Sequence, residues 1–195
     1  GFYPISVRFA MILSLFKRNS ATAAARTLYG EIVAQARQPG FYGPDGGVAD
    51  TEDGRYDMIL LHAFLVLERL NRGSPEPKDL KQALFDVLFE DLDRSLREMG
   101  FGDEGVRRRI QKMVEGFYGR MTAYRDGMAG GDEALGAALQ RNLYRNTEPE
   151  DAQVGRLVAY ISRQTDHLAA QPDAGVLGGK PGFRAPELAG EEASA

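Results

Sequence analysis

Cysteine is absent from the 195 residues. That excludes disulfides and thiolate metal sites and fits a reducing compartment. Tryptophan is absent as well, and histidine occurs only as His62 and His167. A carboxylate–histidine metal site in a helical bundle needs Glu-x-x-His on facing helices, but Ile59 and Gln164 stand three residues before the two histidines. No Ser-His-Asp arrangement can be placed. Gly43-Pro44-Asp45-Gly46-Gly47 reads as a turn rather than a phosphate cradle, since no strand precedes it and no Lys-Ser/Thr follows. The residues therefore point to no catalytic group, cofactor or metal, and to a protein that is not an enzyme. Acids are missing from residues 1–30. The apolar stretch at residues 9–16 falls far short of the roughly 20 residues that span a bilayer. Residues 1–19 read as an N-terminal extension, either an acid-poor transit sequence or a short membrane-surface contact. A plainer reading makes Met11 the natural start and residues 1–10 extra.

What is present is helical period. Residues 21–37 place Ala24, Leu28, Ile32 and Ala36 on one face, and Gln38-Pro39-Gly40 stops that helix. A long loop rich in Gly, Pro and Asp follows over residues 40–54, mobile or functional by its length. Residues 55–71 are apolar nearly all round, the pattern of a helix buried at the centre of a bundle. A third helix starts at Pro75 or Leu80 and ends at Met99, with Ser74 or Asp79 as its cap. A fourth runs from an Asp103 cap to near Gly127, and a fifth begins at an Asp132 cap. A sixth starts from a Thr147…Glu150 capping box and ends before Pro172. Beyond 172, Gly, Pro and Ala dominate, the composition of a disordered tail. The expected fold class is all-α, one bundle of about six helices over residues 20–171, with residues 172–195 as tail.

Charge is unevenly placed. The chain is −4 overall, yet residues 94–125 hold eight basic residues against Glu98, Asp103, Glu104 and Glu115. A basic face on an acidic protein suits an anionic partner such as lipid headgroups, RNA or an acidic protein. A salt-bridged, solvated helix face explains it equally, and the overall charge argues against DNA. The acids at 90, 91 and 93 fit surface pairs, Glu90 with Arg94 and Asp93 with Arg97. Phe117-Tyr118-Gly119-Arg120 sits within this run. Phe117 and Tyr124 share a core face, whereas Tyr118 and Arg120 point elsewhere. Arg120 is open to a partner or to a carboxylate inside the bundle, and Phe41-Tyr42 either pin the long loop or line a groove. His62 reads as a core histidine hydrogen-bonded to a neighbour.

At these residues the chain resembles the ubiquinol–cytochrome c chaperone family. The likeness runs over about residues 20–170. It passes through Leu28-Tyr29-Gly30-Glu31, Phe41-Tyr42, Val48-Ala49-Asp50-Thr51 and Gly54-Arg55-Tyr56-Asp57-Met58-Ile59. It continues through Leu84-Phe85-Asp86, Leu96-Arg97-Glu98-Met99-Gly100, Phe117-Tyr118-Gly119-Arg120 and Ala138-Leu139-Gln140-Arg141-Asn142-Leu143-Tyr144. Phe101 departs from the small aliphatic residue expected there. The resemblance implies an all-α assembly chaperone for the cytochrome bc complex (respiratory complex III) that binds newly made cytochrome b. It implies a bacterial member, cytoplasmic and peripheral at the inner membrane, or a position on the matrix side of mitochondria in a eukaryote. A small helper protein or the ribosome are further implied partners, and an anionic membrane surface is another. The candidate contact residues are Phe41, Tyr42, Arg94, Arg97, Arg107, Arg108, Tyr118, Arg120, Arg141 and Tyr144. The competing reading is an RNA- or ribosome-binding helical adaptor using residues 94–125.

Overall fold

Helices follow one another without a strand among the described residues of the computed structural model, which are 5–73 and 77–188, with side chains described from residue 19. They are α1 (Ile5–Ala36), α2 (Glu52–Asn71), α3 (Lys78–Glu98), α4 (Asp103–Gly130), α5 (Asp132–Asn142), α6 (Asp151–Ala170) and the short α7 (Asp173–Leu177). The expected all-α bundle is what forms. The expected contact of residues 1–19 with a membrane surface lies mostly outside the described side chains, as do the expected cap at Ser74 and helix start at Pro75.

Local chemistry sets the boundaries. Gln38 precedes a proline and is extended (φ −60°, ψ 128°), which ends α1. Thr51 caps α2, its hydroxyl accepting from the Gly54 N–H at 3.2 Å. Gly54 must be glycine, because an added Cβ would lie 2.0 Å from the Ala49 carbonyl oxygen. Four caps differ from expectation, and that of α3 is Pro77 rather than Ser74 or Asp79. The N-caps of α4, α5 and α6 are Gly102, Gly131 and Glu150, one residue before Asp103 and Asp132 and three after Thr147. Asp103 and Asp132 still face the helix N-terminal dipole from the first turn. At α6, Gln153 Oε1 accepts from the Glu150 N–H at 2.8 Å.

Helix α2 is the centre, as its all-round apolarity predicts. Met58, Leu60, Leu61, Ala63, Phe64, Leu65, Val66 and Leu70 are all buried, and α1, α4 and α6 pack around it. The loop after α1 is held rather than loose. Phe41 and Val48 enter the core. Tyr42 donates to the Ala36 carbonyl (2.6 Å), and Tyr144 donates to the Gly46 carbonyl (2.6 Å). Arg156 and Gln153 donate to the carbonyls of Asp45 and Pro44.

The tail differs most from the sequence expectation. Low apolar content predicts disorder from residue 172, yet the chain packs on the bundle as far as Leu188, while residues 189–195 lie outside the described part. The reason is placement rather than amount. Val176 and Leu188 are 1% and 2% exposed, and Phe183 packs against the core. Arg69 ties this segment in from α2, donating to the Leu168 and Gln171 carbonyls at 2.8 and 2.9 Å and pairing with Asp173 at 2.5 Å.

Below the tail lies a buried polar chain. His62 is fully buried, and its Nδ1 lies 2.8 Å from the Met58 carbonyl, which can only accept. Nδ1 therefore carries the proton, and Nε2 accepts from the Tyr160 hydroxyl at 2.8 Å. The same hydroxyl accepts from Gln35 Nε2 at 3.0 Å. Burial pushes the His62 imidazole down to about 4, so it is neutral at physiological pH. Tyr160→Phe removes one hydroxyl and strands two buried groups, so it should cost about 2 kcal/mol. Urea unfolding followed by circular dichroism measures this, and a loss under about 0.5 kcal/mol would show that the hydroxyl is not shared.

Candidate docking surface

The basic run over residues 94–125 covers the end of α3, the turn at Gly100-Phe101-Gly102 and most of α4. Its positive count largely dissolves in three dimensions. Arg94 pairs with Asp91, and Arg97 bridges Asp93 and Asp103, each at 2.6 Å. Arg107 pairs with Glu104 at 2.7 Å and Arg125 with Glu68 at 2.6 Å. Arg97 holds the Asp103 carboxyl below its ordinary value. The Arg109 guanidinium lies 3.8 Å over the Phe101 ring, a cation–π contact that gives the unexpected aromatic at 101 a partner. Among the described residues no carboxylate pairs with Arg108, Arg109 or Lys112. These three are exposed on the first half of α4.

Arg120 turns inward. Its guanidinium lies 2.9 Å from Asp57 on α2, and Arg145, just past α5, reaches the same carboxylate at 3.1 Å. Asp57 is 1% exposed, and Tyr124 beside it is fully buried. Burial pushes the Asp57 carboxyl up to about 6 against the two guanidiniums, leaving it an anion at neutral pH. Asp57 thus locks α2 to α4 and to the α5–α6 connection. Arg145, which completes this site, was not among the sequence candidates, because three separate elements supply the site.

Phe117-Tyr118-Gly119-Arg120 therefore divides by helical phase. Phe117 is buried, Arg120 meets Asp57, and Tyr118 is 57% exposed. Tyr118 lies nearly parallel to Phe85 of α3, with centroids 6.0 Å apart. Phe85 in turn packs on Phe89 (4.4 Å) and Phe117 (5.8 Å). These rings form an aromatic shelf between α3 and α4. A hollow of about 320 Å³ lies over it, with Lys78 and Lys81 on the rim. Phe85 and Lys78 were not among the sequence candidates. The signal that could have found them was the facing pair of aromatic doublets, Phe85/Phe89 and Phe117/Tyr118.

The remaining candidates scatter. Phe41 is fully buried against His62 and Tyr160 (centroids 5.4 and 5.1 Å), and Tyr144 is 2% exposed, so both are framework rather than contact residues. Tyr42 borders a surface hollow of about 490 Å³ with Arg37 and Arg55, and partial burial pushes its phenol up to about 12. Arg141 is exposed on the last turn of α5. The structure thus brings Tyr118 together with the α3–α4 shelf, leaves Arg94, Arg97, Arg107 and Arg108 around the turn between α3 and α4, and places Tyr42 elsewhere.

Several known proteins are similar. A profile described as ubiquinol-cytochrome C chaperone matches residues 45–184. Ubiquinol-cytochrome c reductase complex assembly factor 1 of Mus musculus is 25% identical over 119 residues, covering 61% of this chain and 40% of that protein. The Drosophila melanogaster protein of the same name is 27% identical over 133 residues, 66% of this chain and 51% of its own. This chain therefore spans about half the length of these relatives or less. The crystal structure of the Cbp3 homolog from Brucella abortus superposes with a TM-score of 0.74 at 39% identity, covering 89% of this chain and 96% of that one.

The two buried ionisable groups shift in opposite senses, which makes the pH dependence testable. His62 stays neutral in the fold to about 4, whereas its ordinary value is 6.5, so falling pH through that window favours the unfolded chain. Asp57 takes its proton at about 6 in the fold against 3.8 ordinarily, so falling pH through that window favours the fold. The two nearly cancel. Asp57→Asn removes the second effect, and the variant should lose about 2 kcal/mol more than the wild type between pH 6.5 and 4. Denaturant titrations at several pH values test this, and parallel curves for the two proteins would refute it.

Proposed function

We infer the function from one premise: the chain belongs to the ubiquinol-cytochrome C chaperone family. We propose that it is a non-catalytic chaperone in the assembly of the ubiquinol–cytochrome c reductase complex, and that the client it holds is newly made cytochrome b. The names of the relatives support the complex, and the chemistry of the surface supports the client. A membrane protein awaiting assembly presents apolar helices. A chaperone for it needs exposed aromatic surface beside cations that tolerate lipid headgroups. The α3–α4 shelf supplies both, and the exposure of Tyr118 over Phe85 is the observation that carries the reading. No described helix is long and apolar enough to cross a membrane. In this proposal the chain meets its client from the membrane surface, on the cytoplasmic side in a bacterium.

The RNA-adaptor reading rested on the charge of residues 94–125. With Arg94, Arg97, Arg107, Arg120 and Arg125 engaged by carboxylates, three cations on one helix stretch remain for an RNA backbone. That is a small electrostatic footprint for a binder whose affinity scales with the number of phosphates neutralised.

Tyr118→Ala removes an exposed ring and should leave stability within about 0.5 kcal/mol of wild type. It should weaken client capture by about tenfold or more, the effect of losing an aromatic hot spot. Native gels of solubilised membranes, read with photocrosslinking from position 118, check this. Normal bc complex and no crosslink to cytochrome b would sink the proposal.

A further inference from the structure

Residues 179–188 have no regular secondary structure, yet they lie in the seam between α1 and α6 with α2 beneath. Gly179 (φ 89°) presses on α1, where an added Cβ would come within 2.6 Å of the Ala24 carbonyl oxygen. Further along, His167 of α6 donates to the Gly182 carbonyl at 2.6 Å, and Arg163 donates to the Glu187 carbonyl at 3.0 Å. Between them, two glutamines read the main chain of a single residue. Gln35 Nε2 donates to the Arg184 carbonyl at 2.5 Å, and Gln164 Oε1 accepts from the Arg184 N–H at 3.3 Å. These glutamines are 6% and 1% exposed.

Side chains enter the seam at Pro181, Phe183, Pro186 and Leu188, buried at the first and last and partly buried at the other two. Phe183 meets the His62 ring edge-on at 5.6 Å, and Leu188 is 2% exposed. Arg184, Ala185 and Glu187 face solvent. Pairing a main-chain contact with alternate apolar pockets is how extended peptides are recognised generally. The segment does not use the full capacity of this seam. Gln164 Nε2 is buried with no partner, and the Gln164–Arg184 bond is long. A buried, unpaired amide is costly, so a chain offering it a carbonyl would hold the seam better than residues 179–188 do.

We propose that the α1–α6 seam is a peptide-binding groove and that residues 179–188 are its displaceable occupant in cis. The ligand is an extended apolar segment with an aromatic residue and an aliphatic one five positions on. Positions equivalent to Pro181 and Pro186 are also covered, whereas those equivalent to Arg184, Ala185 and Glu187 are not read. The reading above enters only in making that segment part of the client polypeptide; the groove itself rests on the geometry of the seam.

The test uses the full chain and a fluorescein-labelled peptide of residues 179–190, followed by anisotropy. The double variant Phe183→Ala/Leu188→Ala loosens the internal occupant and should bind the peptide about tenfold tighter than wild type or better. Adding Gln164→Leu should remove that gain. A double variant that keeps wild-type helicity yet binds no better than wild type would overturn the proposal. Should the double variant fail to fold, hydrogen exchange on the wild type decides. Amides of residues 180–188 should exchange at least about a hundredfold faster than those of α6, and equal protection refutes displacement. Neither measurement involves cytochrome b. A failed groove and a failed client assignment are therefore distinguishable, the latter resting on the Tyr118 crosslink.

Discussion

The hydroxyl of Tyr160 is the point on which the closing of this bundle depends. Helix α2 is apolar nearly all round, and an imidazole carried into such a core needs both nitrogens satisfied. The Met58 carbonyl on the same helix takes one, which fixes the tautomer, and the other must find a donor from outside. Tyr160 on α6 supplies it and still has a lone pair for Gln35 on α1. Gln35 then reaches the main chain at Arg184. Four parts of the chain, far apart in sequence, are registered by one run of donors and acceptors. Hydrophobic burial brings these helices together without direction, and the polar run sets their relative positions.

A second buried polar site works by charge. Asp57 sits five residues before His62 on α2, roughly 140° around the axis at 3.6 residues per turn, and it faces α4 and the α5–α6 connection. Removing either guanidinium would leave a buried carboxylate short of a partner, the situation in which ion pairs become energetically decisive. Between these two sites, α2 is fixed on opposite sides. Helix α4 is long, about 42 Å at 1.5 Å per residue, and only its second half shares in this. Its first half buries Val106 and otherwise lies against α3 with partial cover. The aromatic shelf forms where the well-anchored half gives way to the other, and there Tyr118 is left outward.

Most of the fold was legible because periodicity reports burial directly. The all-round apolarity of α2, the core face shared by Phe117 and Tyr124, and the stop at Gln38-Pro39 needed no tertiary information. The caps were misplaced by a residue or more, since Asp103 and Asp132 stabilise a helix start from the first turn as well as from the cap. The tail was misread because composition averages over position. A few well-placed apolar residues and main-chain bonds from Gln35, His167 and Arg163 order a stretch that Gly and Pro would otherwise leave loose. The candidate site was half legible. Helical phase separated Phe117 from Tyr118, but nothing local distinguishes an arginine that meets a buried aspartate from one that meets a partner.

The same limit explains the basic run. A window over residues 94–125 counts cations and leaves out Glu68, Asp57, Asp91 and Asp93, which lie outside it in sequence and opposite it in space. Once those pairs form, the segment has little free charge, and exposed pairs of this kind add little to stability either. What the surface retains is aromatic and aliphatic: Tyr118 is 57% exposed, and Met99 at the end of α3 is 55% exposed. An anionic polymer gains little from such a surface, whereas an apolar helix with lipid still around it gains area from the rings and tolerance from the neighbouring cations. Internal charge pairing therefore weighs against a nucleic-acid partner and supports the membrane-protein client proposed above. It does so through residues that a reading of the basic segment alone leaves out.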